Sequence, residues 1–97
     1  MWYLSNSEIH GCGIYTKEYI QSGQLIDVAI DENGIITYFG SKINHSWKPN
    51  CNLYRMNVKN KVVYYMVAIM DIPPFTEFTA NYMNTPDFIK KPNFDWK

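Results

Sequence analysis

The chain consists of short β-prone segments separated by turns, and no long stretch has the 3.6-residue period of an amphipathic helix. Its clearest strand runs from Val62 to Met70, is apolar on both faces, and is therefore predicted to be covered on both faces. A hairpin across Lys59–Asn60 is predicted to pair this strand with residues 53–58. The prolines at 73 and 74 end the run, because proline cannot donate to a strand ladder. The pattern predicts a mostly β domain.

A second hairpin is predicted at Asn33–Gly34, which separates the β-prone residues 24–31 from Ile35–Phe39. Asn-Gly between two such runs is the strongest short hairpin signal, because a type I′ turn needs a positive φ at both central residues. The sequence therefore predicts a strand over Ile35–Phe39.

Length and composition favour one packed domain over residues 1–97, since 46% of the residues are hydrophobic and 16% are aromatic. A net charge of +0 argues against a nucleic-acid partner. No apolar run is long enough to span a membrane, and the first residues lack the pattern of a signal peptide. Cys12 and Cys51 are predicted to be free thiols without a metal site, in an intracellular protein that is neither secreted nor membrane-bound.

Three short motifs carry the functional signal. They are Gly11–Ile14, Asn44–Asn50 and Glu77–Tyr82. In order and spacing they resemble the G-x-G, N-H-S-x-x-P-N and E-x-T-x-x-Y motifs of the SET domain of protein-lysine methyltransferases. The resemblance covers about residues 7–82, and the remaining residues 83–97 are expected to fold over the site as a C-terminal tail.

The resemblance implies a SET-domain, or β-clip, fold: short strands in small sheets, with a C-terminal pseudoknot. It also implies transfer of a methyl group from S-adenosyl-L-methionine to a lysine of a protein or peptide, for which a histone tail is one candidate. Neither a nucleic acid nor a membrane is implied as a direct partner. The activity implied is that of a protein-lysine N-methyltransferase, an enzyme whose cofactor carries the reactive group.

Site residues are implied by their positions in the motifs. Tyr82 matches the final tyrosine and would be catalytic, by orienting the amine or the methyl group. The cofactor-binding residues implied are Gly11, Cys12, Gly13, Ile14, Asn44, His45 and Tyr82. Glycine suits this role because it lets the backbone approach a ligand closely. Taken alone, the glycines could form an ordinary tight turn and His45 could be a structural histidine.

A narrow channel for the substrate lysine would also be needed, and aromatic walls suit an alkylammonium group through cation–π contact. The candidates are Tyr38, Phe39, Tyr54, Phe88 and Trp96. Packing in the hydrophobic core is an equally good interpretation for each of them. In the family, residues after the last tyrosine often fold back over the site, which favours Phe88 and Trp96.

The chain departs from most of the family in two respects. Trp47 replaces the usual cysteine after N-H-S and no C-x-C follows Tyr82, so the zinc-binding regions are absent from the pattern. The segment between Asp27 and Ile43 is too short for the usual helical insert. Both features are similar to minimal SET proteins of large viruses and some prokaryotes, which can form a homodimer to complete the site. Two alternatives remain open, namely a catalytically silent SET-like module that binds a peptide or partner, and a small assembly protein that dimerises through its aromatic residues.

Overall fold

The structure is a computed structural model that describes residues 1–86 and residue 91. Within these residues, seven strands, one short helix and one 3₁₀ turn follow each other. They are β1 (Trp2–Asn6), β2 (Cys12–Thr16), β3 (Leu25–Ile30), α1 (Tyr38–Ser41), β4 (Asn44–His45), β5 (Cys51–Val58), β6 (Lys61–Ala68), β7 (Thr79–Ala80) and the 3₁₀ turn Tyr82–Asn84. None of the helices in the described ranges is long and apolar enough to cross a membrane.

The strands form three small sheets, as the resemblance implied. β1 pairs with β2, and β3, β6 and β5 form a three-stranded sheet in that order, with antiparallel pairing throughout. The third sheet consists of β4 and β7, which run parallel to each other. The mostly β fold with short strands is therefore confirmed.

The β5–β6 hairpin has the predicted place. Lys59 and Asn60 have φ angles of 51° and 66°, which are the positive values that a type I′ turn needs at its two central residues. Val58 pairs with Lys61 directly across the turn. The strand ends at Ala68, and the apolar Ile69 that follows is exposed.

The predicted strand over Ile35–Phe39 is wrong. Gly34 has a φ of 76°, but the type I′ turn would need Asn33 in the same region as well. The Asp31 carboxylate accepts instead from the backbone N–H groups of Asn33 and Ile35, at 2.9 and 3.0 Å, which closes a different turn. Only an isolated bridge between Ile30 and Ile36 follows.

A helix begins where the strand was predicted because Thr37 provides a side-chain cap. Its hydroxyl accepts from the backbone N–H of Gly40 at 3.0 Å and donates to the carbonyl of Val28 at 2.6 Å. A threonine that accepts such a bond satisfies one of the amide groups left without a partner in the first turn. The cap also fixes α1 against β3.

The core lies between the sheets and includes the completely buried side chains of Ile14, Ile20, Ile72 and Phe78. Phe39 of α1 joins it, with ring centroids 5.2 Å from Trp2 and 6.4 Å from Phe78. Both cysteines are free thiols, as predicted. Cys51 is buried, and burial raises the pKa of its thiol to about 12, whereas Cys12 is exposed.

Asn50 connects the segment after β4 to the last strand. Its side-chain amide donates to the carbonyl of Glu77 at 2.8 Å, and its side-chain oxygen accepts from the backbone N–H of Thr79 at 2.9 Å. Its own backbone N–H donates to the Thr79 hydroxyl at 3.2 Å. One asparagine therefore replaces the ladder bonds that a two-residue strand cannot provide.

We expect Asn50→Ala to lower the free energy of unfolding by about 2–3 kcal/mol, because it leaves a backbone carbonyl and a backbone amide without their partners. Asn57→Ala is the matched control, since Asn57 is an exposed residue of the adjoining strand β5. Urea unfolding of both variants would measure the difference. Equal midpoints for the two variants would contradict this role of Asn50.

Candidate functional site

The side-chain amide of Asn44 joins all three sequence motifs. Its nitrogen lies 3.1 Å from the carbonyl oxygens of His10 and Cys12, and 2.8 Å from the Glu77 carboxylate. All three neighbours are acceptors, which fixes the orientation of the amide with its NH₂ group toward them. Two N–H groups therefore bind three oxygens that belong to segments distant in sequence.

Glu77 extends this connection to the N-terminal segment. The Ser7 hydroxyl lies 2.8 and 2.9 Å from the two carboxylate oxygens of Glu77. Ser7 also fixes the start of the glycine turn, because its backbone N–H donates to the Gly11 carbonyl at 2.8 Å. The part played by Ser7 was not predicted, since a single serine in a polar segment gives no distinctive sequence signal.

The two glycines of the first motif serve different purposes. A Cβ atom at Gly13 would lie 2.2 Å from a carboxylate oxygen of Glu77, so only glycine leaves room for that side chain. Gly11 has a φ of 48° and open space where its Cβ would be. The turn is thus packed against Glu77 on one side and open on the other. Ile14, the last residue of the motif, is completely buried in the core.

His45 is buried at the end of β4, next to Tyr82. Its Nδ1 accepts from the backbone N–H of Tyr82 at 3.1 Å, and its ring meets those of Tyr82 and Trp47 edge to face. Burial lowers the pKa of this imidazole. The ring is therefore neutral near pH 7, which agrees with Nδ1 acting as an acceptor.

Tyr82 directs its hydroxyl toward the backbone that precedes Asn44. The phenol donates to the carbonyl of Ile43, with 2.5 Å between the oxygens. Burial raises the pKa of the Tyr82 phenol. The hydroxyl consequently remains protonated at neutral pH, and it presents its lone pairs next to the Ile43 oxygen.

An apolar cavity of about 310 Å³ is lined in part by Tyr82 and Ile43. Most of its wall is aliphatic, from Ala29, Ile30, Ile36, Leu53, Met66 and Ala80. Ser41 and Thr85 contribute hydroxyl-bearing side chains. The cavity could accept an alkyl chain and present it to a few polar groups, which is the usual composition of a small-molecule pocket.

The structure brings together most of the predicted cofactor residues, but it places the aromatic candidates for the channel elsewhere. Tyr38 and Tyr54 are 59% and 54% exposed, and Phe39 is packed in the core. None of these three lines the cavity. Phe88 and Trp96 lie outside the described residues. A channel role for these five residues stays a prediction.

A metal site was not expected from the sequence. Over residues 1–86 and 91, no group of three or more His, Cys, Asp and Glu side chains could hold a metal ion.

Comparison with known proteins identifies one family. The model of the SET domain matches residues 25–83. Among the solved structures that match is the crystal structure of a Plasmodium falciparum protein described as a candidate histone methyltransferase. The TM-score is 0.70 at 17% sequence identity, over 81% of this chain and 90% of that one. At this identity the likeness concerns the fold alone. A search of the curated proteins found no match.

We expect Gly13→Ala to destabilise the fold by about 1–3 kcal/mol, because the added methyl group overlaps the Glu77 carboxylate. The loss of stability caused by Gly13→Ala should be smaller in a Glu77→Ala background, since the overlapping carboxylate is then absent. A double-mutant cycle measured by urea unfolding tests this coupling. Cys12→Ala, an exposed neighbour in the same turn, is the control. Strictly additive effects of the two substitutions would refute the contact.

We expect stability to fall as the pH drops below about 6.5, the ordinary pKa of histidine. The folded protein lowers the pKa of His45, so the unfolded chain binds the proton more readily and acid favours unfolding. Protonation would also take the Nδ1 lone pair from the Tyr82 amide. Thermal unfolding between pH 5.5 and 7.5 measures this, and His45→Gln should flatten the dependence. If the stability of His45→Gln depended on pH as steeply as that of the unmodified chain, groups other than His45 would be responsible.

Proposed function

Because the chain belongs to the SET-domain family, we propose that it is an S-adenosylmethionine-dependent protein-lysine N-methyltransferase. The observation that carries the proposal is the hydrogen bond from the Tyr82 hydroxyl to the Ile43 carbonyl, between two residues that line an apolar cavity. Ile43 immediately precedes Asn44, whose side-chain contacts join the three motifs. The proposal combines that geometry with the activity typical of the family.

The glycine turn and the residues beside it suit the cofactor. S-adenosylmethionine supplies a methyl group activated by a sulfonium centre, together with a polar nucleoside and an amino acid moiety. Gly11 leaves open space in an exposed turn, and Asn44 holds the carbonyls of that turn in place. Gly11–Gly13, Asn44 and His45 would hold the cofactor mainly through backbone atoms.

Tyr82 acts by position and charge distribution. Its hydroxyl donates to the Ile43 carbonyl, which holds the phenol oxygen in one place, where it would orient the substrate amine or make weak C–H···O contacts with a polarised methyl group. A general base is a poorer description, because burial raises the pKa of this phenol above its already high ordinary value. We therefore assign Tyr82 an orienting and electrostatic role.

The cavity wall would bind the side chain of the substrate lysine and favour its neutral, nucleophilic amine. Its aliphatic side chains suit the methylene stem of lysine, and they exclude water from the amine. Removal of water favours the neutral amine over the ammonium ion, and the neutral amine is the nucleophile. The description of the Plasmodium falciparum protein makes histone tails the first substrates to test.

Three further expectations belong to this proposal. Free thiols at Cys12 and Cys51 suit a reducing compartment, and we propose an intracellular enzyme. A homodimer that completes the site stays a prediction, as does the assignment of residues 1–97 to a single minimal domain.

A catalytically silent binding module is the second candidate. In the part of the chain that the structure describes, β3 and β5 are the outer strands of the three-stranded sheet. An outer strand can bind an extended peptide by strand addition. Cofactor or peptide binding without any methyl transfer would favour this function over the first.

We expect Tyr82→Phe to lower kcat on the order of 100-fold, by removal of the phenol oxygen from the reacting groups. Cofactor affinity should change only a few-fold, because the backbone bond to His45 and the ring packing remain. Mass spectrometry of a histone mixture gives the rate, and calorimetry gives the affinity. Tyr3→Phe, which loses a hydroxyl outside the site, is the control. An unchanged kcat in Tyr82→Phe would overturn the assignment.

A further inference from the structure

The side chain of Lys91 contacts Thr85 and Pro86 at what we call the cavity rim, because Thr85 lines the cavity. Its Nζ donates to the carbonyl of Thr85 at 2.6 Å, to the Thr85 hydroxyl at 3.3 Å and to the carbonyl of Pro86 at 3.2 Å. Thr85 lines the cavity together with Tyr82. The Thr85 hydroxyl also donates to the backbone carbonyl of Tyr82 at 2.5 Å. A single hydroxyl group therefore separates the Lys91 amine from the backbone of the proposed catalytic tyrosine.

We propose that Lys91 is an intramolecular methyl acceptor, so that the chain methylates itself at this residue. The inference rests on the proposed function, because it uses the same cofactor and the same tyrosine. The inference adds a modification site within the chain itself. The methyl acceptor would be the primary amine of Lys91, which already lies at the cavity rim.

Other lysines of the described chain are placed less favourably. Lys17, Lys48, Lys59 and Lys61 are exposed. Lys42 is the closest competitor, because its chain neighbours Ser41 and Ile43 line the cavity. Its ammonium group, however, lies over the exposed ring of Tyr38, 5.7 Å from the centroid. Of these side chains, Lys91 is the one whose nitrogen binds a residue of the cavity wall.

Three oxygens accept hydrogen bonds from the Lys91 side-chain nitrogen. To react, the side chain loses one proton to solvent and turns from the rim into the cavity, which its four-carbon stem permits. The nitrogen lone pair forms the new N–C bond as the C–S bond breaks, and the released electron pair stays on sulfur as a thioether. The methylated amine carries the positive charge that left the sulfonium.

Attachment to the same chain gives the amine a high local concentration. Only a short stretch of chain separates Thr85 from Lys91, and a short covalent connection gives an effective concentration on the order of millimolar. The reaction should therefore be first order, with a rate constant that does not change on dilution. Each methyl group removes one N–H, so the product binds the Thr85 and Pro86 oxygens less well than the unmodified lysine does.

The test uses the full chain with isotopically labelled S-adenosylmethionine and no other substrate. We expect the gain of a methyl group on Lys91, assigned by fragment spectra that distinguish it from Lys90. Lys91→Arg should reduce self-methylation at least tenfold, whereas Lys90→Arg and Lys42→Arg should leave it within twofold. Tyr82→Phe should reduce it as it reduces transfer to histones, which excludes uncatalysed alkylation. Thermal unfolding verifies that each variant is folded.

Three results would overturn the inference while the proposed function stands. The first is methylation of added histone or peptide with none on Lys91. The second is modification of Lys90, Lys42 or any other lysine in place of Lys91. The third is an apparent first-order rate constant that rises in proportion to protein concentration, because transfer would then occur between molecules. If no acceptor is methylated and calorimetry detects no cofactor binding, both the inference and the proposed function fail.

Discussion

The contact between the Asn44 amide and the Glu77 carboxylate holds the candidate site together. Asn44 reaches the glycine turn through the carbonyls of His10 and Cys12, and Glu77 reaches the N-terminal segment through Ser7. The missing side chain of Gly13 leaves the space in which the carboxylate lies. A charged group that accepts several hydrogen bonds is held more firmly than a neutral one. The relative positions of all three motifs therefore depend on one polar cluster.

A second set of contacts, made by His45 and Ile43, positions the phenol oxygen of Tyr82. His45 accepts from the backbone of Tyr82, while the phenol of Tyr82 donates back to Ile43, two residues before His45. Tyr82, which follows β7, is thus held at two points by β4 and the residue before it. This arrangement gives the phenol a fixed direction along the cavity wall. Such preorganisation is what electrostatic assistance to a reaction requires.

Sequence reasoning identified the family, the mostly β fold and the residues that the structure gathers around Asn44. It succeeded because these positions need particular residue types, such as glycine at 13 or a polar amide at 44. It failed at Ile35–Phe39, where Asp31 and the Thr37 cap outweigh the β propensity of the segment. The aromatic candidates Tyr38 and Phe39 could not be resolved either, because ring burial depends on tertiary packing. The contact of Lys91 depends on how the chain turns after Tyr82, and no local pattern encodes that turn.

The two-residue strand β7 has a consequence for how the protein acquires its shape. Its partners Asn44 and Asn50 come from the middle of the chain, and Glu77, just before it, binds Ser7 from the beginning. The β5–β6 hairpin needs only neighbouring residues and can form early, whereas closing these long loops is slow. On a ribosome, the hairpin could therefore be complete while the pocket is still absent. The pocket is complete only after Tyr82, which lines it, has left the exit tunnel.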